Sequence, residues 1–248
     1  ALPISTVANA TAGKFRILCN VGVATEGFDD PGVEVIVMAR PTKSRSLYAQ
    51  MVGRATRPLP GIVDLYDDAP ALVLAPLRVA EHTWPDEVHK WAQFRDMRVS
   101  AIVGNPRQRI AALNTPADIY TTNYENVPWL VDTLGAAWPF RKIVADESTK
   151  LKSFRLRQGG KRAQSLARVA HEYADVFIEL TGTPASDSLE DLWGQVWMLD
   201  AGQRLGRTFS AFRDRWFKPQ KAGEFVRWVP MPHAQAEIQE ALADICLT

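Results

Sequence analysis

At 248 residues the chain is long enough for one large domain or two small ones, and its 46% hydrophobic and 23% charged residues, with 15 Gly and 16 Pro, exclude a disordered or fibrous polymer. Twenty-nine Lys and Arg against 28 Asp and Glu leave a formal charge of +1, which excludes strong global attraction to nucleic acid or to a membrane surface. The two cysteines, Cys19 and Cys246, are too few and too far apart for a disulfide scaffold or a zinc cluster. With no apolar run near ~18 residues and no basic region in Ala1-Leu-Pro-Ile-Ser5, the expectation is a soluble cytoplasmic protein with no membrane partner.

In chain order, short Val/Ile/Leu-rich runs at 16–23, 34–39, 71–75, 99–103, 119–123, 142–145 and 176–180 predict strands buried on both faces. Helices are predicted at 46–54, 84–91, 106–112, 161–173, 189–199 and 234–245. Their alternation makes the class α/β, a mostly parallel sheet with helices on both faces. The stretch 57–70 is rich in turn formers and predicts a boundary or linker. After Ser210 the pattern is irregular, with Trp216, Trp228 and a proline-rich patch at 229–233 that would pack over the domain or meet a second one. Trp193 and Trp197, four apart on one helix face, predict packing.

The charge is uneven although its sum is small. Between Arg141 and Arg168 nine basic residues face only Asp146 and Glu147, and between Arg40 and Arg57 five basic residues face no acidic one. Such stripes suit phosphate contacts or a solvated helix face.

The strongest local signal is Lys142-Ile-Val-Ala-Asp146-Glu147-Ser-Thr149, a hydrophobic strand ending in two adjacent carboxylates. At the carboxyl end of a parallel strand such side chains enter the crevice where α/β proteins bind ligands. One carboxylate can hold Mg²⁺ while its neighbour orients the water that attacks a γ-phosphate; the alternative is a helix start whose acids favour the dipole. A second strand, 177–180, runs into Thr181-Gly-Thr-Pro184, and a helical crossover of ~30 residues predicts that Thr181 to Thr183 lie beside Asp146.

With these residues in view, 69–248 resembles the first motor lobe of a superfamily-two helicase or translocase of the Swi/Snf type found in phages and bacteria. Ala75-Pro-Leu-Arg78 resembles motif Ia, Thr121-Thr-Asn-Tyr-Glu125 motif Ib, Asp146-Glu147 the DExx box and Leu180-Thr-Gly-Thr-Pro184 motif III. The resemblance implies a RecA-like fold and ATP with Mg²⁺ as cofactors. In it Asp146 is the metal ligand, Glu147 activates water, and Thr181, Gly182 and Thr183 couple nucleotide state to the strand. DNA is the implied partner, through Pro76, Arg78, Thr121, Asn123, Lys150 and Lys152. Residues 1–60 resemble a second-lobe fragment: 17–30, with Gly27 and Asp29, looks like motif V, and 50–57, with Gln50, like motif VI. Arg54 and Arg57 match the family's arginine fingers.

The order V, VI, Ia, Ib, II, III is that of a hybrid, with 61–68 as its junction, and no G-x-x-x-x-G-K-[ST] occurs anywhere in the chain. Gly13-Lys14 is followed by Phe15 and Gly160-Lys161 by Arg162. Without that loop the chain alone should bind ATP weakly and hydrolyse none. The strand-turn-helix unit at 33–54 is expected to fill the vacant place in the sheet, which would make Arg54 and Arg57 surface charges. A nucleic-acid-binding module or a folded hybrid without activity is the alternative, and an exposed lobe interface predicts self-association.

Overall fold

The structure, a computed structural model, describes residues 15–20, 69–90, 94–155, 160–222, 225–243 and 245–247. Its strands are β1 (Phe15–Asn20), β2 (Ala71–Ala75), β3 (Val99–Ala101), β4 (Ile119–Asn123), β5 (Lys142–Asp146), β6 (Val176–Thr181), β7 (Phe217–Ala222), β8 (Phe225–Pro230) and β9 (Cys246–Leu247). Seven of them form one sheet in the order β3-β4-β2-β5-β6-β1-β9, every pairing parallel, while β7 and β8 make a separate antiparallel hairpin. The helices are α1 (Trp84–Lys90), α2 (Pro106–Leu113), α3 (Val127–Leu134), α4 (Lys161–Arg168), α5 (Asp191–Asp200), α6 (Phe209–Trp216) and α7 (Ala234–Leu242).

Side-chain alternation on the strands feeds two cores, as a sheet buried on both faces requires. Leu72, Leu74, Ile143, Ala145 and Phe177 join the larger one, under α3 to α7. Val73, Ala75, Val144, Ile178 and Leu180 join the smaller one, closed by the π-helical turn Val79–Thr83 and Trp84. Local chemistry sets the ends of these elements. Asn105 and Gln108 form a reciprocal capping box at the start of α2, with Pro106 inside it, and Pro128 opens α3, whose buried Val127, Leu130 and Val131 recur at helical spacing.

The place beside β6 goes to Phe15–Asn20, in register from Phe15 opposite Val176 to Asn20 opposite Thr181. The unit at 33–54 expected there lies outside the described residues, as do 21–68 altogether. Helix α3 and the hairpin are departures from expectation: the apparent irregularity after Ser210 resolves into α6, β7 and β8, with Trp216 buried and its indole N–H bonded to Glu237 at 3.0 Å.

Candidate functional site

Because the strands are parallel, β2, β4, β5 and β6 all deliver their carboxyl ends to one edge of the sheet. Pro76 to Arg78, Asn123, Asp146 and Thr181 therefore converge there, as ligand-binding α/β sheets arrange them. Asp146 lies opposite Leu180, one residue short of Thr181, so the acidic pair and the Thr-Gly-Thr-Pro turn leave neighbouring strands side by side.

Asp146 is 4% exposed, and the Trp84 indole N–H donates to its Oδ2 at 3.0 Å. The Tyr124 hydroxyl, fully buried, donates to the Asp146 carbonyl at 2.7 Å. Burial pushes the Tyr124 hydroxyl well above its usual pKa, so it stays a donor. Side chain and backbone of the first carboxylate are thus fixed from two directions. Glu147, half-buried, stands at φ 56°, ψ 52°, a left-handed conformation that strains a residue with a Cβ by about 1–2 kcal/mol. The reversal sends the chain into the tight turn Ser148–Leu151 and leaves Glu147 at the lip of the edge.

Ser148 is buried and donates to Gln195 Oε1 on α5 at 3.0 Å. The Gln195 amide nitrogen donates to the Pro184 carbonyl at 2.6 Å and to the Asp191 carbonyl at 2.9 Å. On β6, Thr181 is buried and its hydroxyl oxygen accepts from the Thr183 N–H at 3.1 Å, which tightens the turn, while Gly182 and Thr183 are exposed. Glu179, two residues earlier, is wholly buried, and neither carboxyl oxygen has a hydrogen-bond partner among the described residues. Burial pushes its carboxyl well above the usual range, an effect that the nearby Ser148 hydroxyl opposes only in part.

The nucleic-acid residues divide. Arg78 and Lys150 are exposed and Pro76 is half-buried at the same edge. Thr121 is completely buried and its hydroxyl donates to the Ala80 carbonyl, which ties the π-helical turn to β4. Asn123 bonds Glu125 at 2.8 Å and Asn126 at 2.6 Å. Lys152 is ion-paired with Asp187 and bonds Ser186 at 3.1 Å, with its ammonium held above its usual pKa by Asp187, so its charge closes a protein contact in place of a phosphate one. Arg54, Arg57, Gln50, Gly27 and Asp29 lie outside the described residues. Sequence reasoning missed Trp84, Tyr124, Ser148, Glu179 and Gln195 as neighbours of the pair.

The described residues contain no cluster of three or more His, Cys, Asp or Glu able to hold a metal ion unaided. The Asp146 carboxylate, buried and oriented by an N–H donor, suits a cation such as Mg²⁺ that takes one protein carboxylate and completes its shell with water and substrate phosphate oxygens. No helix among the described residues is long and apolar enough to cross a membrane.

The sequence profile of the SNF2-related domain matches residues 16–247. Protein p41 of Acyrthosiphon pisum secondary endosymbiont phage 1 is 49% identical over 214 residues, covering 83% of this chain and 46% of p41. The candidate ATP-dependent helicase IRC3 of Saccharomyces cerevisiae is 51% identical over 45 residues, 18% of this chain and 6% of its own length. Among solved structures, the SWI2/SNF2 ATPase core domain of Sulfolobus solfataricus superposes with a TM-score of 0.51 at 21% identity, over 94% of this chain and 38% of that one, a likeness of fold. The chain spans less than half the length of each of these relatives. With a profile match over nearly its whole length and a RecA-like parallel sheet beneath it, the chain belongs to the SNF2-related domain family of superfamily-two, Swi/Snf-type proteins.

Proposed function

We propose that this chain is the first-lobe part of a DNA-dependent Swi/Snf-type ATPase whose hydrolytic edge is intact and whose phosphate loop must come from outside this stretch. The observation that carries the reading is the convergence of Asp146, Glu147 and the Thr181–Pro184 turn at the carboxyl edge of one parallel sheet. Asp146 would hold Mg²⁺, which supplies charge neutralisation at the β- and γ-phosphates. Glu147 would orient the attacking water, and Thr181 to Thr183 would carry nucleotide state toward the DNA face at Arg78 and Lys150. Residues 1–60 we read as a second-lobe fragment joined in hybrid order.

Isothermal calorimetry of this chain with Mg-ATP, with and without duplex DNA, should give a Kd weaker than about 100 μM, roughly −5.5 kcal/mol. Tighter binding would mean that the chain holds a phosphate cradle of its own. Supplied with a family lobe that carries the loop, the wild-type chain should turn over Mg-ATP and Glu147→Gln should not. Equal rates for the two would remove Glu147 from its role.

A second reading, a binding module without catalysis, is favoured by the Trp84 indole already bonded to Asp146 and by the missing phosphate loop. It predicts DNA binding with no turnover in any such assembly.

A further inference from the structure

Helix α5 lies against the turn that follows Glu147 more closely than any side chain would permit. A Cβ at Gly194 would stand 3.1 Å from the Lys152 carbonyl oxygen and closer still to that of Leu151. The next residue, Gln195, is completely buried and reaches both turns of the candidate site. Its bonds have a fixed direction. The amide nitrogen donates to the carbonyls of Pro184 and Asp191, so the amide oxygen is the end that meets Ser148, and the only hydroxyl proton of Ser148 is committed to it. The backbone at Glu147 is strained, and strain of that kind persists only where neighbours over-determine it.

We propose that Gln195 is a positioning residue that locks the Glu147 turn and the Thr181–Pro184 turn into one mechanical unit, with Gly194 bringing the helix close enough for the bond to form. The proposal rests on the reading of Glu147 as the group that orients water, but its test is independent of that reading. If the unit is real, cutting the link at one turn loosens the other turn as well, although the latter's own bond to Gln195 is untouched.

The experiment is hydrogen exchange on the nucleotide-free chain, comparing wild type with Ser148→Ala and Gln195→Met. Met keeps the volume of Gln195 and removes its hydrogen bonds. Gln195→Met is expected to speed exchange about tenfold in peptides covering 147–152 and 182–187 alike. Ser148→Ala, which cuts only the first link, is expected to speed exchange at 182–187 as well. The indole N–H resonance of Trp84, assigned with Trp84→Phe, should shift in both variants, because it reports the placement of Asp146. A purely packing role moves none of these in Gln195→Met. If Ser148→Ala leaves 182–187 at the wild-type rate, the two turns are independent and the proposal is overturned, and this variant decides even if Gln195→Met fails to fold. Failure of Glu147→Gln to abolish turnover, by contrast, would overturn the hydrolytic role and leave the lock standing.

Discussion

Glu179 carries a buried carboxyl whose oxygens have no hydrogen-bond partner among the described residues, between Phe177 in the large core and Thr181 at the edge. An isolated carboxylate is far costlier to bury than the neutral acid, so the folded state keeps the proton. The unfolded chain releases that proton above its ordinary pKa of about 4.3. From there up to the raised folded pKa the folded state binds more protons, and stability falls with rising pH by about 1.4 kcal/mol per unit from this group alone. Glu179→Gln removes the dependence: its melting temperature should gain on wild type steadily as pH rises above about 4.5. A difference that stays constant across that range would mean Glu179 is ionised in the fold. At this scale Asp146 and Glu147 were legible, because adjacent carboxylates ending an apolar run are a local pattern. Trp84 and Tyr124 were not, since they reach Asp146 from 62 and 22 residues away along the chain.

Among the elements, α5 is the one whose sequence encodes the site most directly. Ala at position 194 would ordinarily stabilise a helix interior by up to about 1 kcal/mol relative to Gly. Here the added Cβ meets two carbonyl oxygens, and overpacking of that kind costs about 1–3 kcal/mol. Gly194→Ala should lower the melting temperature by several degrees in differential scanning fluorimetry, at roughly 2–4 °C per kcal/mol for a chain of this size; an unchanged or higher value would show that α5 can move off the turn. Strands were readable from their apolar runs, and 71–75 and 119–123 fall on β2 and β4 without adjustment. Helix α3 was not among the predicted helices, although proline at the first turn, as at Pro128, is compatible with a helix start. The hairpin was not predicted either: Pro219 and Pro230 sit in its two strands, which have no further partner strand among the described residues.

For the molecule as a whole, five of the nine basic residues from Arg141 to Arg168 are ion-paired, four of them with acids 29 or more residues away in the chain. Arg141 pairs with Asp175, Lys152 with Asp187, Lys161 with Asp132, Arg162 with Glu125 and Arg168 with Glu172. Local charge counting could not see these partners. Exposed pairs of this kind contribute only about 0–1 kcal/mol each, so phosphates can displace the acids, but at a reduced net gain. DNA binding by this chain should therefore be micromolar or weaker at physiological salt, with log Kd rising linearly against log salt at a slope of about +0.9 per phosphate contacted. Fluorescence anisotropy between 50 and 300 mM salt measures it, and salt-independent binding would exclude a phosphate-based interface. The position of β1 has a further consequence. Among the described strands of this sheet, Phe15–Asn20 precedes the others in the chain yet hydrogen-bonds β6 and β9, the latest two. At about 5–20 residues per second a ribosome needs on the order of 10–30 s to deliver β6, and throughout that time this apolar segment travels without its neighbours. Nascent-chain yield should consequently hinge on holdase chaperones that shield the leading strand until the sheet can close around it.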